Sequence, residues 1–200
     1  MYPVITISRE VGSGGSVIGR KVAEKLDIPF LDRKFIEEIS KNTGLKADEA
    51  EQKGEFVSAI EKYFSSSFYN GLYLGDVQDK VYEIQKKIIL EQAEKGPCVI
   101  VGRCSDFILQ KAGIPCLNVF IRADKEYRRT YFEDYYGKQQ EPVEKIIAKK
   151  DKGRRQYYRY YTDREFGNVN NYQLCLDCGY LGEDMCVDMI IKAAKAKKGE

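Results

Sequence analysis

Hydrophobic and polar positions along this chain follow two alternating periods, one typical of strands and one typical of helices. Short apolar, often β-branched runs predict strands at residues 4–8, 29–32, 98–101, 117–121 and 173–176. Apolar residues three or four positions apart predict helices between them, at residues 16–26, 104–112, 124–136, 142–161 and 183–196. Strands that alternate with helices are typical of a parallel sheet covered by helices on both faces, so we predict an α/β, three-layer fold.

One long stretch interrupts this alternation. Residues 34–95 show mostly helical spacing, broken at 65–75 by a segment rich in small and aromatic residues that we expect to be a mobile loop. The sequence contains no internal repeat and no second hydrophobic pattern. We therefore predict a single domain over residues 1–200 with a helical insertion at 34–95.

Composition limits the class of protein. The chain of 200 residues is 43% hydrophobic and 32% charged, with a net charge of +2, as expected for an ordinary globular protein. Its first residues lack an apolar segment preceded by basic residues, and no apolar run approaches the roughly 20 residues of a membrane span. We expect a cytoplasmic protein that does not bind membranes.

The absence of histidine excludes several chemistries. Histidine-based acid–base catalysis, triads that use histidine and zinc sites with histidine ligands are all ruled out. Cys175 and Cys178 have C-x-x-C spacing, but a structural zinc site needs a second pair of ligands. We expect the cysteines to be mostly reduced core thiols; they are Cys98, Cys104, Cys116, Cys175, Cys178 and Cys186.

The opening strand leads through a glycine-rich turn into a helix, which is the layout of a phosphate-binding loop. Small residues from Gly12 to Ser16 let backbone N–H groups converge on an anion at a helix N-terminus. Against the pattern G-x-x-x-x-G-K-[ST], Gly14 and Ser16 match, but Arg9 replaces the first glycine and Gly15 replaces the lysine. The turn could hold phosphate without its usual cation, or it could be a helix cap without a function.

A nearby arginine could supply the missing cation. Arg9 directly follows the first strand, where side chains of open α/β sheets meet their ligands, and guanidinium binds phosphate through two parallel hydrogen bonds. Arg20 and Lys21, one turn into the helix, are alternatives, although each could be a solvated surface charge.

The chain resembles the cytidylate kinase-like family of P-loop proteins over nearly its whole length. Five segments carry the resemblance: Ile5-Thr-Ile-Ser-Arg-Glu-Val-Gly-Ser-Gly-Gly-Ser, Lys25-Leu-Asp-Ile-Pro-Phe-Leu-Asp32, Gly102-Arg103, Tyr158-Tyr-Arg-Tyr-Tyr-Thr-Asp-Arg-Glu-Phe-Gly167 and Asn171-Tyr-Gln-Leu-Cys-Leu-Asp177. The resemblance implies a P-loop NTPase-type fold with an acceptor-binding insertion at 34–95 and a lid at about 140–167. It also implies a kinase that transfers phosphate from ATP to a nucleoside monophosphate or a related small acceptor.

The resemblance assigns roles to residues on the donor side. The N–H groups that would cradle the donor β-phosphate belong to Gly12, Ser13, Gly14 and Gly15. The Ser16 hydroxyl would help to hold Mg²⁺, and Arg20 is a further candidate for binding the donor. Phosphoryl transfer needs alignment and neutralisation of charge rather than histidine, so the available residues suit it. The lid arginines that could reach the transferring phosphate are Arg154, Arg155 and Arg159, with Asp151 as a tether.

On the acceptor side, Arg103 resembles an arginine that grips the acceptor's phosphate. In cytidylate kinases that motif continues with aspartate, whereas here the position is Cys104 and the nearest carboxylate is Asp106. Asp32 resembles an acidic residue near the acceptor, and it could equally cap the helix that follows.

Two other functions stay open. The missing lysine is compatible with a nucleotide-binding protein that transfers nothing. The basic, tyrosine-rich segment at 149–161 could stack nucleic-acid bases, although the nearly neutral charge balance disfavours nucleic acid as a partner.

Overall fold

The computed structural model describes residues 2–32 and 76–196. Its strands are β1 (Val4–Arg9), β2 (Phe30–Leu31), β3 (Val99–Val101), β4 (Cys116–Arg122) and β5 (Leu174–Asp177). Its helices are α1 (Gly15–Leu26), α2 (Asp76–Lys95), α3 (Ser105–Lys111), α4 (Lys125–Tyr136), α5 (Val143–Thr162), α6 (Cys178–Leu181) and α7 (Glu183–Ala196), with a 3₁₀ turn at Val169–Asn171.

All five strands are parallel and lie in the order β2-β3-β1-β4-β5. In the register of the sheet, Ile5 of β1 lies opposite Val99 on one side and Leu117 on the other. After β1 the chain builds one half of the sheet, and from β4 onward it builds the other half. The order therefore reverses at β1, and the carboxyl end of this strand is where ligands bind in open α/β sheets.

Alternation along β1 places its side chains in two separate cores. Ile5 and Ile7 pack with the stripe of α1 that includes Ile18 and Val22, and with α7. Val4 faces the opposite core, built from β3 and the helices α2, α3 and α5. These two cores, one on each face of the sheet, make the three layers that the sequence predicts.

The predicted strands and helices are confirmed, with ends that differ by one or two residues. Helix α2 confirms the helical spacing predicted at the end of residues 34–95, while the expected helical segment from residue 34 and the expected loop at 65–75 lie outside the described residues. The assignment of 34–95 to an insertion stays a prediction. The sequence did not predict α6 or the 3₁₀ turn, because one turn of helix is too short to show a period. None of the helices described is both long enough and apolar enough to cross a membrane.

Candidate active site

The turn between β1 and α1 forms a cradle of backbone groups. Gly12 and Gly14 adopt left-handed conformations, with φ of 79° and 77°, and Gly14 is the N-cap of α1. A β-carbon at position 12 would overlap the carbonyl oxygen of Arg128, so only glycine fits there. The first turn of α1 contains no acidic residue, so no carboxylate of the helix itself competes with an anion for its positive dipole end.

Arg9 occupies the space that a side chain at position 15 would need. A β-carbon on Gly15 would lie 2.6 Å from Arg9 Cβ and 2.9 Å from Arg9 Cγ. At its far end the Arg9 side chain lies against Gly102, where a β-carbon would overlap Nη1. The guanidinium therefore lies over the turn that follows β3, beside the cradle. Because the Arg9 side chain fills this space, a lysine at position 15 would clash with it.

Arg154, one of the arginines that the resemblance assigns to a lid, lies beside this cradle. Its Nη1 donates a hydrogen bond of 2.7 Å to the carbonyl oxygen of Arg9, and its side chain is 19% exposed. Burial lowers the pKa of Arg154, and the nearby Arg103 cation acts in the same direction. An arginine remains charged under these conditions, so positive charge is concentrated on one side of the turn.

Two further predicted lid residues lie elsewhere. Arg155 and Arg159 are exposed on α5, and Arg159 Nη2 forms an ion pair of 3.2 Å with Asp163. The structure thus brings one of the three candidate lid arginines to the turn. The catalytic roles assigned to all three stay predictions.

A buried ion network holds the turn in place. Asp151 Oδ1 accepts a hydrogen bond of 2.9 Å from Val11 N, and Arg128 Nε donates one of 2.7 Å to the carbonyl oxygen of Val11. Arg128 also pairs with Asp151 and lies 3.3 Å from Glu10 Oε1. Asp151 thus connects α5 to the turn, and its role as the tether of a lid stays a prediction. The contact of Arg128 with the turn was not predicted, because nothing near Arg128 in the sequence marks its partners.

The Ser13 side chain faces the protein rather than a ligand. It is fully buried, and its Oγ lies 3.0 Å from the carbonyl oxygen of Glu10 and 3.1 Å from that of Ile121. A contribution of Ser13 to phosphate binding is therefore confined to its backbone N–H.

The turn after β3 contains strained backbone. Gly102, Arg103 and Cys104 all have positive φ, at 78°, 62° and 55°. Left-handed conformations at two consecutive residues other than glycine are rare and tend to persist at functional sites. Arg103 is buried here, next to the region occupied by the Arg9 side chain.

Asp106, in the first turn of α3, is buried against helix α5. Tyr158 Oη donates a hydrogen bond of 2.6 Å to Asp106 Oδ2. Burial raises the pKa of this carboxyl group, and the hydrogen bond from Tyr158 partly opposes that shift. Asp106 therefore connects α3 to the predicted lid, and its assignment to substrate binding stays a prediction.

The other charged candidates near α1 have protein partners. Arg20 Nη2 forms an exposed ion pair of 3.3 Å with Asp32 Oδ2, and its guanidinium lies 4.7 Å from the centre of the Phe30 ring. Lys21 lies 2.9 Å from a carboxylate oxygen of Glu183 and 3.1 Å from one of Asp184. Arg20 thus lies next to Asp32, after β2, and is not among the described residues that line the cleft at the glycine turn.

Tyrosines that the sequence did not single out form a wall of this cleft. Tyr131, Tyr135 and Tyr136 of α4 line it together with Arg9, Arg154 and the turn itself, around a volume of about 100 Å³. They were missed because tyrosines on a helix look like ordinary surface or core residues until the helix is placed.

Ser16 is exposed in the first turn of α1 and lines the same cleft. Within the described residues, no group of three or more acidic or cysteine side chains could hold a metal ion. Mg²⁺ typically keeps several water ligands and binds through few protein ligands and the substrate's phosphates, so one hydroxyl at a phosphate cradle fits it.

The cysteines are all free, as expected for reduced thiols. Cys175 is exposed while Cys178 is buried, so the C-x-x-C pair does not present two thiols on one surface. Partial loss of hydration raises the pKa of the Cys175 thiol, and burial raises that of Cys178, so both shifts favour the protonated thiol.

A five-stranded parallel sheet in this order, with a glycine cradle after β1, defines a P-loop NTPase-type fold. A structure of an uncharacterized protein from Eubacterium ventriosum matches with a TM-score of 0.74 and 25% identity, covering 96% of this chain and 98% of that one. Shikimate kinase from Bacteroides thetaiotaomicron matches with a TM-score of 0.56 and 13% identity, covering 98% and 99% of the two chains. That likeness concerns the fold alone.

The model of the cytidylate kinase-like family matches residues 4–180, and the chain belongs to this family. A cytidylate kinase from Archaeoglobus fulgidus is 24% identical over 196 residues, which cover 97% of this chain and 96% of that protein. The family resemblance and the fold class predicted from the sequence are confirmed.

Proposed function

We propose that this chain is a phosphotransferase that moves the γ-phosphoryl group of ATP to a nucleoside monophosphate such as CMP, or to a related small acceptor. Membership of the cytidylate kinase-like family supports a kinase, and the relative from Archaeoglobus fulgidus supports CMP. The observation that carries the proposal is the position of Arg9, whose side chain runs past Gly15 to Gly102 beside the cradle.

On the donor side, the backbone N–H groups of residues 12–15 hold the β-phosphate at the N-terminus of α1. Arg9 and Arg154 bind the transferring phosphoryl group in place of the lysine that Gly15 replaces. Ser16 helps to hold Mg²⁺, which neutralises charge on the phosphate oxygens. Charge neutralisation and alignment are the main demands of this reaction, so these partly buried arginines suit it.

On the acceptor side, Arg103 binds the acceptor's phosphate and Asp32 orients its reacting hydroxyl group. Asp106 supports the acceptor side through its contact with Tyr158 on α5. Closure of the segment at about 140–167 would bring Arg155 and Arg159 toward the transferring group and exclude water. Arg20 is the remaining candidate for binding the donor. Because it forms an ion pair with Asp32, it could equally bind the acceptor.

The alternative is a nucleotide-binding protein without transfer activity. One observation favours it: the cradle is intact, yet a β-carbon at position 15 would overlap Arg9, so no lysine can extend from that position. Phosphate would then bind beside arginines, without the lysine that P-loop kinases usually extend from this position.

The test is turnover by the full chain with ATP and Mg²⁺ and a panel of nucleoside monophosphates, followed as ADP release. We expect turnover with at least one acceptor and the highest rate with CMP. Arg9→Ala should lower kcat by about 10²–10³-fold, the size of effect that removing one charge-stabilising donor has in other enzymes. Its free energy of unfolding should change by about 1 kcal/mol or less.

Arg122→Ala is the matched control, because Arg122 is an exposed arginine at the end of β4 whose ion-pair partner is Asp177. Its turnover should equal that of the original chain. Saturable ATP binding without turnover on any acceptor would favour the silent binder. Full activity in Arg9→Ala would remove Arg9 from the proposed role.

A further inference from the structure

The turn after β3 is basic rather than acidic. Val101 is followed by Gly102, Arg103 and Cys104, and the next acidic residue is Asp106, which is buried and accepts a hydrogen bond from Tyr158. In P-loop NTPases, Mg²⁺ is held by the Ser or Thr of the loop together with an acidic side chain. The turn that follows the neighbouring strand of β1 therefore provides no such carboxylate.

The carboxylate that lines the cleft already has protein partners. Glu10 is the acidic residue among the described residues of the cleft. Its Oε1 lies 3.3 Å from Arg128 Nη1, and its Oε2 accepts a hydrogen bond of 3.2 Å from Ala123 N. Within the part of the chain that the structure describes, the cleft thus offers Mg²⁺ the hydroxyl of Ser16 but no carboxylate that lacks a partner.

Arg9 brings positive charge to the same side of the cradle. Its side chain leaves the end of β1, passes Gly15 and reaches Gly102. Because Ser16 directly follows Gly15, the Arg9 side chain extends from the residue next to this hydroxyl to the turn after β3. A guanidinium group there can donate two parallel hydrogen bonds to phosphate oxygens.

The charges around Arg9 favour a highly charged anion. Arg154 Nη1 binds the carbonyl oxygen of Arg9, and the cation of Arg103 acts with burial to lower the pKa of Arg154. These like charges repel one another until an anion binds between them. A triphosphate without Mg²⁺ keeps the negative charge that the ion would neutralise, so it gains more from these arginines than its magnesium complex does.

We propose that Arg9 takes the place of Mg²⁺ in binding the donor, so that the cradle binds a metal-free nucleoside triphosphate about as tightly as its magnesium complex. This inference rests on the proposed function, because it needs a nucleoside triphosphate in the cradle. It concerns the affinity for the donor, while neutralisation of charge by Mg²⁺ during phosphoryl transfer is a separate requirement. A site that holds the ion through a hydroxyl and a carboxylate would instead lose affinity when the ion is removed.

The first experiment needs no variant. Calorimetry measures the dissociation constant of ATP for the full chain, once with excess Mg²⁺ and once with excess EDTA. The ionic strength is kept equal in the two titrations, because salt screens the interaction of phosphate with arginine. We expect the dissociation constant in EDTA to be at most about three-fold larger than that in Mg²⁺.

Variants of Arg9 test the assignment to this residue. Arg9→Met keeps an unbranched side chain beside Gly15 but removes the charge. Metal-free ATP should bind to it about ten-fold or more weakly than to the original chain, as expected for the loss of a charge-assisted hydrogen bond, and the magnesium complex should lose less. Arg9→Lys keeps the charge and should recover part of the loss in EDTA. Arg122→Ala is the control, because Arg122 is exposed at the end of β4, and both dissociation constants should stay unchanged.

The outcomes separate this inference from the proposed function. A dissociation constant in EDTA more than about three-fold above that in Mg²⁺ would overturn the role of Arg9 and leave the kinase proposal standing. Equal losses of both forms of ATP in a folded Arg9→Met variant, with folding checked by thermal unfolding, would also overturn it. Metal-free binding as expected, without turnover on any acceptor, would support this inference and contradict the kinase proposal. Failure of ATP to bind under either condition would overturn both.

Discussion

At the scale of single residues, Arg9 and Gly15 are adapted to each other. In the usual P-loop pattern the lysine extends from the position of Gly15. Here the Arg9 side chain fills the space next to it, coming from the end of β1 instead. Glycine in place of the lysine leaves space at position 15, and arginine at position 9 fills that space. The cation beside the cradle therefore comes from the end of β1 rather than from the start of α1.

This packing predicts strong coupling between the two positions. Gly15 is the first residue of α1 and does not have a positive φ, so alanine would normally stabilise the helix by up to about 1 kcal/mol. Because its β-carbon would lie 2.6 Å from Arg9 Cβ, we expect Gly15→Ala to lower the free energy of unfolding by about 1–3 kcal/mol instead. In the background Arg9→Gly, which removes both clashing carbons, the same change should be neutral or stabilising.

Urea unfolding of the original chain, the two single variants and the double variant completes the cycle. The coupling energy should exceed about 1 kcal/mol, since residues in direct contact are not additive. Additive effects within about 0.5 kcal/mol would show that the turn adjusts without Arg9.

At the scale of elements, the cradle between β1 and α1 depends on two helices from the other half of the sheet. Arg128 of α4 and Asp151 of α5 bind the carbonyl oxygen and the N–H of Val11, and they pair with each other. The conformation of the cradle is thus coupled to the predicted lid helix. Movement of α5 would therefore change the position of Val11 in the glycine turn.

Removing this tether should be costly. Asp151→Ala leaves the Arg128 charge buried and the Val11 N–H without its acceptor, so we expect a loss of about 3–5 kcal/mol in the free energy of unfolding. Glu91→Ala is the control, because it breaks an exposed pair one turn apart on α2 and should change stability by about 0.5 kcal/mol or less. Urea unfolding curves of the full chain provide the measurement. A loss below 1 kcal/mol for Asp151→Ala would mean that Glu10 alone compensates Arg128.

The elements also show where prediction from sequence succeeds. Strands such as β1 and β3 are short apolar runs bounded by turn residues, and their signal is local. The bracing by Arg128 could not be predicted, because its partners Val11 and Asp151 lie 117 and 23 residues away in the chain. Nothing local distinguishes this arginine from the adjacent Arg129, which forms ion pairs within its own helix.

At the scale of the whole molecule, the nearly neutral net charge of +2 hides a concentration of arginines at one edge of the sheet. Arg9 and Arg103 lie there because the carboxyl ends of β1 and β3 share that edge, and α5 brings Arg154 to the same place. A local concentration of this kind suits a small anionic ligand. Weak binding to nucleic acid stays a prediction, as does the cytoplasmic location.

The pH dependence of stability should reveal the buried carboxyl group of Asp106. Burial raises its pKa above the ordinary value of 3.8, so the folded state binds its proton more tightly than the unfolded state does. Stability from this group is therefore greatest at low pH and is lost as the pH rises from about 3.8 through the raised pKa. Asp106→Asn cannot lose a proton, and its stability relative to the original chain should increase over that range.

Urea unfolding from about pH 4 to about pH 8 measures this difference. Asp184→Asn serves as a control for loss of charge, because its side chain is 87% exposed. A difference between Asp106→Asn and the original chain that stays constant with pH would contradict the effect of burial.

The sequence by itself determined the alternating strands and helices, the glycine turn after β1 and the replacement of the loop lysine. These features depend on local chemistry: side-chain periodicity, the conformational freedom of glycine and the identity of residues in one short motif. They were sufficient to indicate a phosphate site and the family.

Only the tertiary structure decided which charged and aromatic residues surround that site. It placed Arg9 across Gly15 and Gly102, brought Arg154 to the turn while leaving Arg159 exposed, and set the tyrosines of α4 along the cleft. These arrangements depend on the order of strands in the sheet and on how the helices pack on it. Contacts between residues more than a hundred positions apart leave no local signal in the chain, because a side chain's chemistry does not specify its distant partner.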